Sequence, residues 1–147
     1  MSKVIVYHAY AKDTYPVTAA TKTTGWLPGQ GFAYDSTGDY VAVAVVDNVM
    51  MIAIDDDDEL SAPPTGSLVT GVYGSGTKIL IDHSEEVTAG SSTRAYDSEV
   101  ESASLNANLY ISTTGKWQTT ATGSVRGKLW RIPKAANNYQ LGVVLRF

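Results

Sequence analysis

The chain has 147 residues, no cysteine and a net charge of −4. This length matches one ordinary domain, which buries roughly two-thirds of the surface of its unfolded chain and needs no metal or disulfide to fold. The lack of cysteine excludes a disulfide framework, a thiolate nucleophile and sulfur-ligated zinc. The longest apolar stretches, residues 40–46 and 49–54, are too short to span a bilayer, and the N-terminus lacks the pattern of a cleaved signal peptide. We therefore expect a soluble protein without a membrane partner.

Charge is distributed unevenly along the chain. Residues 51–100 hold ten carboxylates against two basic side chains, a net of −8, whereas residues 101–147 have a net charge of +5. Either the two segments are neighbours in the fold, or acidic and basic patches meet between copies in an assembly. The basic residues near the C-terminus alternate as in a strand and form no dense cluster, so we expect no nucleic-acid partner.

Apolar residues recur mostly with a period of two, and turn-forming residues interrupt them about every ten positions, a pattern typical of all-β proteins. A first strand is predicted over residues 3–10. Residues 14–38 are rich in turn formers around Trp26 and Phe32, which indicates an ordered loop region or an extended arm.

A β-hairpin is predicted over residues 40–54. Its two strands, 40–46 and 49–54, are nearly continuous runs of apolar β-formers. Between them, Asp47-Asn48 tolerate the positive φ angles of a two-residue turn. We expect both strands to be buried on both faces in the core of a sandwich or barrel.

The rest of the chain reads as a series of strands separated by turns. Asp97 or Ser98 is placed to cap a short helix over residues 99–104, because Ser98 and Glu101 have capping-box spacing. The predicted strands are residues 67–73, 78–83, 109–112, 116–119, 125–132 and 139–147. We therefore predict a single all-β domain over residues 1–147, an antiparallel β-barrel or β-sandwich. It has a possible extended arm and loop region at 1–38, a β core at 39–147 and at most one short helix.

Two short motifs resemble catalytic or phosphate-binding sites. Residues 71–78 are glycine-rich like a phosphate loop, yet Thr77 precedes Lys78 and a β-type run follows, which favours a turn between strands. Asp82-His83-Ser84 contains the residue types of a hydrolase triad, but neighbours in a strand point to opposite faces. His8 lies on a strand face with valines. We therefore expect no catalytic residues, no enzyme activity and no cofactor.

Two binding hypotheses stay open at this stage. The acidic run at residues 55–59 attracts cations such as calcium, but it lacks the spaced ligands and central glycine of an EF-hand loop. A solvated hairpin exit is therefore favoured, and no metal site is predicted. Three tryptophans and nine tyrosines offer rings on which sugars stack, although ordinary β-cores hold as many aromatic residues.

The C-terminal part contains three segments with a common strand-and-turn pattern: residues 96–116, which include Leu109-Tyr110-Ile111-Ser112-Thr113-Thr114-Gly115, then Val125-Arg126-Gly127-Lys128-Leu129-Trp130 and Gln140-Leu141-Gly142-Val143-Val144-Leu145. These segments resemble the ends of small structural proteins of tailed bacteriophages. In that group a leucine, an aromatic residue and a valine or isoleucine, followed by Thr-Gly, precede a glycine-bearing strand and a terminal strand. The chain is similar in particular to head decoration proteins, also called cement or stabilisation proteins.

The resemblance implies a virion structural protein that binds the outer surface of the mature head and stabilises it. Such a protein resides in the host cytoplasm before assembly and on the capsid exterior afterwards. Its implied partners are the major capsid protein and copies of itself, with a trimer favoured and a dimer possible. Binding at many symmetric positions needs buried area rather than chemistry.

An extended N-terminal arm suits this role, because an arm adds to a neighbour's sheet edge or lies across a subunit junction. We therefore predict that the contact with the capsid or a sister copy uses the N-terminal region, in particular Lys3, Val4, Ile5, Trp26 and Phe32. The alternatives are a receptor- or glycan-binding module of a phage head or tail fibre, and a tail or head-completion structural protein.

Overall fold

A computed structural model describes residues 3–9, 11–43, 48–54, 68–83 and 94–147. Within these ranges the chain forms strands, one short α-helix, α1 (Ala19–Thr24), and 3₁₀ helices at Ser98–Ser102 and Ala135–Asn137. The strands are β1 (Lys3–His8), β2 (Ala11–Pro16), β3 (Gly31–Tyr34), β4 (Val41–Val43), β5 (Met51–Ala53), β6 (Leu68–Tyr73), β7 (Lys78–Asp82), β8 (Asn108–Ile111), β9 (Trp117–Gln118), β10 (Gly127–Arg131) and β11 (Leu141–Leu145).

The strands form two sheets whose pairs are all antiparallel. The six-stranded sheet has the order β1-β7-β11-β10-β8-β9, and the five-stranded sheet has the order β2-β6-β5-β3-β4. The chain leaves the first sheet after β1 and returns to it at β7, so the N-terminal strand lies in the same sheet as the C-terminal half. This arrangement confirms the predicted all-β, sandwich-like single domain.

Each sheet contributes to a separate apolar core, and β5 lies between the two. Ile52 packs in the larger core, whereas its neighbours Met51 and Ala53 pack in the smaller one. All three side chains are fully buried, as predicted for this run. Burying a large apolar side chain contributes roughly 1.5–3 kcal/mol, so a short strand buried on both faces is strongly held.

The five-stranded sheet curls around the smaller core. Just after β2, an isolated parallel bridge joins Val17 to Val41 of β4, and the Thr18 N–H donates to the Val41 carbonyl at 3.0 Å. The two ends of the strand order therefore meet at this point. Val17 and Val41 are buried inside the curl with Phe32 and Met51.

The predicted hairpin over residues 40–54 is wrong in its pairing. Strand β3 lies between β4 and β5: Phe32 pairs with Val43 on one side and with Met51 on the other. Residues 44–47, which include Asp47 of the predicted turn, lie outside the described residues. Two apolar runs that follow each other in sequence favour a hairpin. Here β3, a short strand from earlier in the chain, forms hydrogen bonds with both of them instead.

The predicted loop or arm over residues 14–38 contains the end of β2, α1 and β3. Helix α1 begins where the Thr18 side chain accepts a hydrogen bond from the Thr21 N–H at 3.2 Å, and it ends at Gly25, whose φ is +79°. Such caps satisfy the free amides and carbonyls of a short helix. The prediction is therefore wrong for these elements, because turn-forming residues here delimit short elements of an ordered sheet.

The C-terminal half follows the predictions more closely. Each predicted strand from residue 67 onward overlaps an observed one. The predicted helix at 99–104 is a 3₁₀ helix with Asp97 at its N-cap position, although no side-chain hydrogen bond caps it. Within the described residues, no helix combines the length and apolarity needed to cross a membrane.

Candidate functional site

The side chain of His83 has a structural role in the fold. The ring is fully buried, its Nδ1 lies 2.9 Å from the Tyr139 carbonyl oxygen, and its Nε2 accepts a hydrogen bond from the Ala95 N–H at 3.2 Å. Because Nε2 accepts, the proton resides on Nδ1 and is donated to the carbonyl. Both ring nitrogens are thus committed to backbone groups, and His83 joins the β7 end to two later segments. Ser84 of the triad-like motif lies outside the described residues.

The glycine-rich segment at 71–78 contains the end of β6, a turn over residues 74–77 and the first residue of β7. Gly74 and Gly76 have φ angles of +110° and +95°, and the Thr77 N–H donates to the Gly74 carbonyl at 3.0 Å. This geometry confirms the predicted turn between strands.

The acidic run at residues 55–59 lies outside the described residues. In the part of the chain that the structure describes, no three His, Asp or Glu side chains are grouped so as to hold a metal ion.

Residues predicted for the capsid contact fall into two groups. Trp26 and Phe32 are 5% and 0% exposed and pack edge to face at 5.8 Å in the smaller core, so neither offers surface to a partner. This burial corrects their assignment to a contact surface. In β1, Val4 points into the larger core, whereas Lys3 is exposed and Ile5 is half-buried on the outer face of the six-stranded sheet.

The outer face of the six-stranded sheet carries an aromatic and cationic cluster, which we call the Trp130 face: Tyr7, Lys78 and Trp130. The Tyr7 and Trp130 rings pack edge to face with centroids 5.8 Å apart. The Lys78 ammonium lies 4.3 Å from the Trp130 centroid and 5.7 Å from that of Tyr7, within cation–π range. Tyr7 is 56% exposed, and its large side chain combines an apolar ring with a polar hydroxyl.

Two β-bulges direct these rings. The β1–β7 register shifts between Val6 and His8, which makes Tyr7 the extra residue, and the β10–β11 register shifts between Leu129 and Arg131, which does the same for Trp130. A bulge bends its strand and redirects the extra side chain, and bulges are frequent beside functional sites. Neither shift is visible in the alternating sequence pattern.

Basic residues surround the Trp130 face. Lys3, Lys128 and Arg131 accompany Lys78 on the outer side of the sheet, and Asp82, opposite Lys3 in the β1–β7 register, offsets part of this charge. A recess of about 230 Å³ adjoins Trp130, and its lining residues include Leu105, Arg131, Lys134 and Asn137. Leu105 is 62% exposed.

Chemically, this arrangement suits binding. An exposed tyrosine ring and a half-buried indole with cations beside them provide apolar area, cation–π contacts and hydrogen-bond donors for a partner. The predicted strand over residues 3–10 contains Tyr7, and the predicted strand over 125–132 contains Trp130. The sequence pattern does not indicate that Tyr7, Lys78 and Trp130 meet, because the contact depends on two bulges and on non-sequential strand order.

A second polar cluster belongs to the core. Arg94, 3% exposed, forms an ion pair with Glu101, which also accepts a hydrogen bond from the Tyr96 hydroxyl at 3.1 Å. The Arg94 guanidinium lies 4.2 Å from the Tyr139 ring centroid. Burial is the main reason that the pKa of Tyr96 is raised far above its usual value. The cluster fastens the segment before the 3₁₀ helix to the C-terminal half.

No protein-family model matches the chain, and no curated protein matches its sequence.

Proposed function

We propose that this protein is a non-enzymatic virion structural protein of a tailed bacteriophage, a decoration protein that binds the outer surface of the mature head through the Trp130 face. The observation that carries the proposal is the pair of bulges that hold Tyr7 and Trp130 together on an exposed sheet face. The sequence resemblance of the C-terminal half supplies the class of particle. The major capsid protein is the proposed partner, and a trimer of the chain is the favoured assembly.

The residue types of the Trp130 face are those that dominate protein interfaces. Tryptophan, tyrosine and arginine are enriched among residues that contribute most to binding, usually near the centre of the contact. Here Leu80 lies on the same outer face with only 3% exposure, so this face also contains a buried apolar side chain. A stable contact buries about 1,200–2,000 Å² in total, which requires the surrounding strands as well.

The basic rim favours an acidic surface on the shell. Charges of opposite sign accelerate association and select partners, and exposed charges act within a Debye length of about 10 Å at 0.1 M salt. We therefore expect the association rate to fall as salt is raised.

Co-sedimentation with shells tests the proposal. The purified chain is mixed with expanded shells of the major capsid protein from the same genome, and with unexpanded shells as a control. Tyr7→Ser and Lys78→Glu alter the proposed contact, while Tyr40→Ser changes a tyrosine of similar exposure, 48%, next to β4 of the other sheet.

Saturable, near-stoichiometric binding to expanded shells, weakened about tenfold or more by Tyr7→Ser and Lys78→Glu but not by Tyr40→Ser, is the expected result. Absence of binding to either shell overturns the decoration role. Binding that is equal in all variants overturns the Trp130 face as its contact while leaving the role intact.

One observation favours a second candidate, a glycan- or receptor-binding module of a phage fibre. The recess beside Trp130 joins an aromatic ring to polar Asn137 and Arg131, a combination that suits a sugar ring. This candidate would be supported over decoration if the chain bound neither type of shell but bound a saccharide saturably, with a shift of the Trp130 indole resonance.

A further inference from the structure

A second aromatic cluster lies on the five-stranded sheet, far along the chain from the Trp130 face. We call it the tyrosine cluster: Asp13, Tyr15, Tyr34 and Tyr73. The Tyr15 and Tyr34 rings are perpendicular, with centroids 5.8 Å apart, and the Tyr73 hydroxyl donates to Asp13 Oδ2 at 2.7 Å. Tyr34 is 49% exposed and Asp13 is exposed, so the cluster opens to solvent.

The curl of the sheet assembles this cluster. Asp13 and Tyr15 lie on β2 and share the face of the sheet that covers the smaller core, and Tyr73 lies diagonally across the β2–β6 register from Asp13. Tyr34 comes from β3, which β6 and β5 separate from β2 in the strand order. A ring contact across that separation requires the curled sheet that the Val17–Val41 bridge closes.

A glycine deepens the site. Gly71 lies opposite Asp13 in the register, and a Cβ there would come within 2.4 Å of the Met51 sulfur. The position therefore stays without a side chain, and Met51 packs over the backbone of Gly71, opposite Asp13 in the register.

The electrostatics of the tyrosine cluster favour a cation. Each ring presents a negative face, and Asp13 adds a carboxylate whose described partner is a neutral hydroxyl; no described cationic side chain forms an ion pair with it. Asp35 adds further negative charge in the adjoining β3–β4 turn, where the Thr37 hydroxyl is the first reason that its pKa is lowered. Lys12 points to the opposite face of β2 by alternation.

We propose that the tyrosine cluster is a binding site for an organic ammonium group, such as a lysine side chain presented by a partner. Perpendicular aromatic rings with one carboxylate match this chemistry, because a compact ammonium is attracted both by the negative ring faces and by the carboxylate charge. A neutral group of the same size gains only apolar contact. The site is separate from the Trp130 face, so the proposal goes beyond shell binding. A negative result for shell binding does not affect it, and a negative result here does not affect shell binding.

Titration of the full chain followed by NMR tests the site. The probes are butylammonium, which mimics a lysine side chain, choline, which is quaternary, and 3,3-dimethyl-1-butanol, the neutral isostere of choline. Asp13→Asn and Tyr34→Leu alter the cluster at exposed positions. Asp39→Asn, a nearby carboxylate outside it, and Tyr7→Leu, an exposed tyrosine of the other sheet, are the matched controls.

We expect saturable shifts of Tyr15, Tyr34 and Tyr73 resonances with the cations, and at least about fivefold weaker binding in Asp13→Asn and Tyr34→Leu, with the control variants unchanged. Preference for butylammonium assigns the site to a lysine side chain, and preference for choline assigns it to a methylated ammonium. Equal binding of the neutral isostere, or equal loss in Asp39→Asn, overturns the proposal, as does the absence of saturable shifts.

Discussion

The indole of Trp130 lies over the backbone of Gly142. A Cβ atom built on Gly142 would come within 2.5 Å of Trp130 Cε2 and within 2.7 Å of the Arg131 Cβ, so only glycine leaves room for the ring. Crossing β11 in this way, the indole reaches β7, where its Nε1 donates to the Ile79 carbonyl at 3.1 Å. The exposed aromatic face thus depends on a residue that has no side chain.

Replacing this glycine tests the dependence. In Gly142→Ala the added methyl group displaces Trp130 and breaks the bond to Ile79, and we expect a loss of about 1–3 kcal/mol in the free energy of unfolding. Urea unfolding gives the loss, and the tryptophan emission spectrum reports the displaced ring. Val144→Ala, on the same strand and face, removes atoms instead of adding them and controls for general repacking. An unchanged emission spectrum in Gly142→Ala would contradict the packing described here.

The sequence predicted the C-terminal half well because its strands alternate and are separated by clear turns. In β11, Leu141, Val143 and Leu145 are fully buried, while Val144 is half-buried, as the alternation requires. Where strands are only three residues long, as in β4 and β5, alternation carries no information on which strand is the partner. The partner there is β3, only four residues long, inside a segment that reads as turns.

The two aromatic clusters illustrate the limits of sequence analysis in another way. Tyr7 meets Trp130, and Tyr15 meets Tyr34, across strands that are distant in sequence or separated in the sheet order. Strand faces follow from a period of two, but such contacts follow from bulges and curling. Conversely, its place in the predicted N-terminal arm had suggested Trp26 as a contact residue, and its 5% exposure assigns it to the core.

Trp117 is joined to the loop before β3 by a side-chain hydrogen bond. Its ring is fully buried in the larger core, and its Nε1 donates to the carbonyl of Gly29, in the loop before β3, at 3.0 Å. Trp117→Phe leaves that buried carbonyl without its donor and opens a small cavity, so we expect about 2–4 kcal/mol of destabilisation in urea unfolding. Trp26→Phe, another buried tryptophan, provides the comparison for ring volume. Equal losses in the two variants would argue against a special role for the bond to Gly29.

We expect the Arg94–Glu101 ion pair to stabilise the folded state, because the Arg94 charge is buried. Glu101→Gln removes negative charge from beside a guanidinium that is 3% exposed, and breaking a buried ion pair is costly. We expect a loss of about 2–4 kcal/mol in the free energy of unfolding. Glu99→Gln changes an exposed carboxylate of the same 3₁₀ helix, bonded to Thr119 and Thr120, and costs about 1 kcal/mol or less. The double variant Arg94→Met/Glu101→Gln recovers part of the loss if the charge, rather than the shape, is responsible.

Stability at alkaline pH depends on Tyr15. Burial first, then the hydrogen bond with Tyr34, raise its pKa from 10.0 to about 12 in the folded protein. Because the folded state holds the proton more tightly, this contribution to stability is fully present below pH 10 and is lost as the pH rises towards about 12. The free energy of unfolding of Tyr15→Phe should therefore fall less steeply over that interval than that of the wild type. Tyr40→Phe, which alters an exposed tyrosine, controls for the substitution itself. Parallel pH profiles for Tyr15→Phe and the wild type would show that the hydroxyl of Tyr15 titrates alike in the folded and unfolded chains.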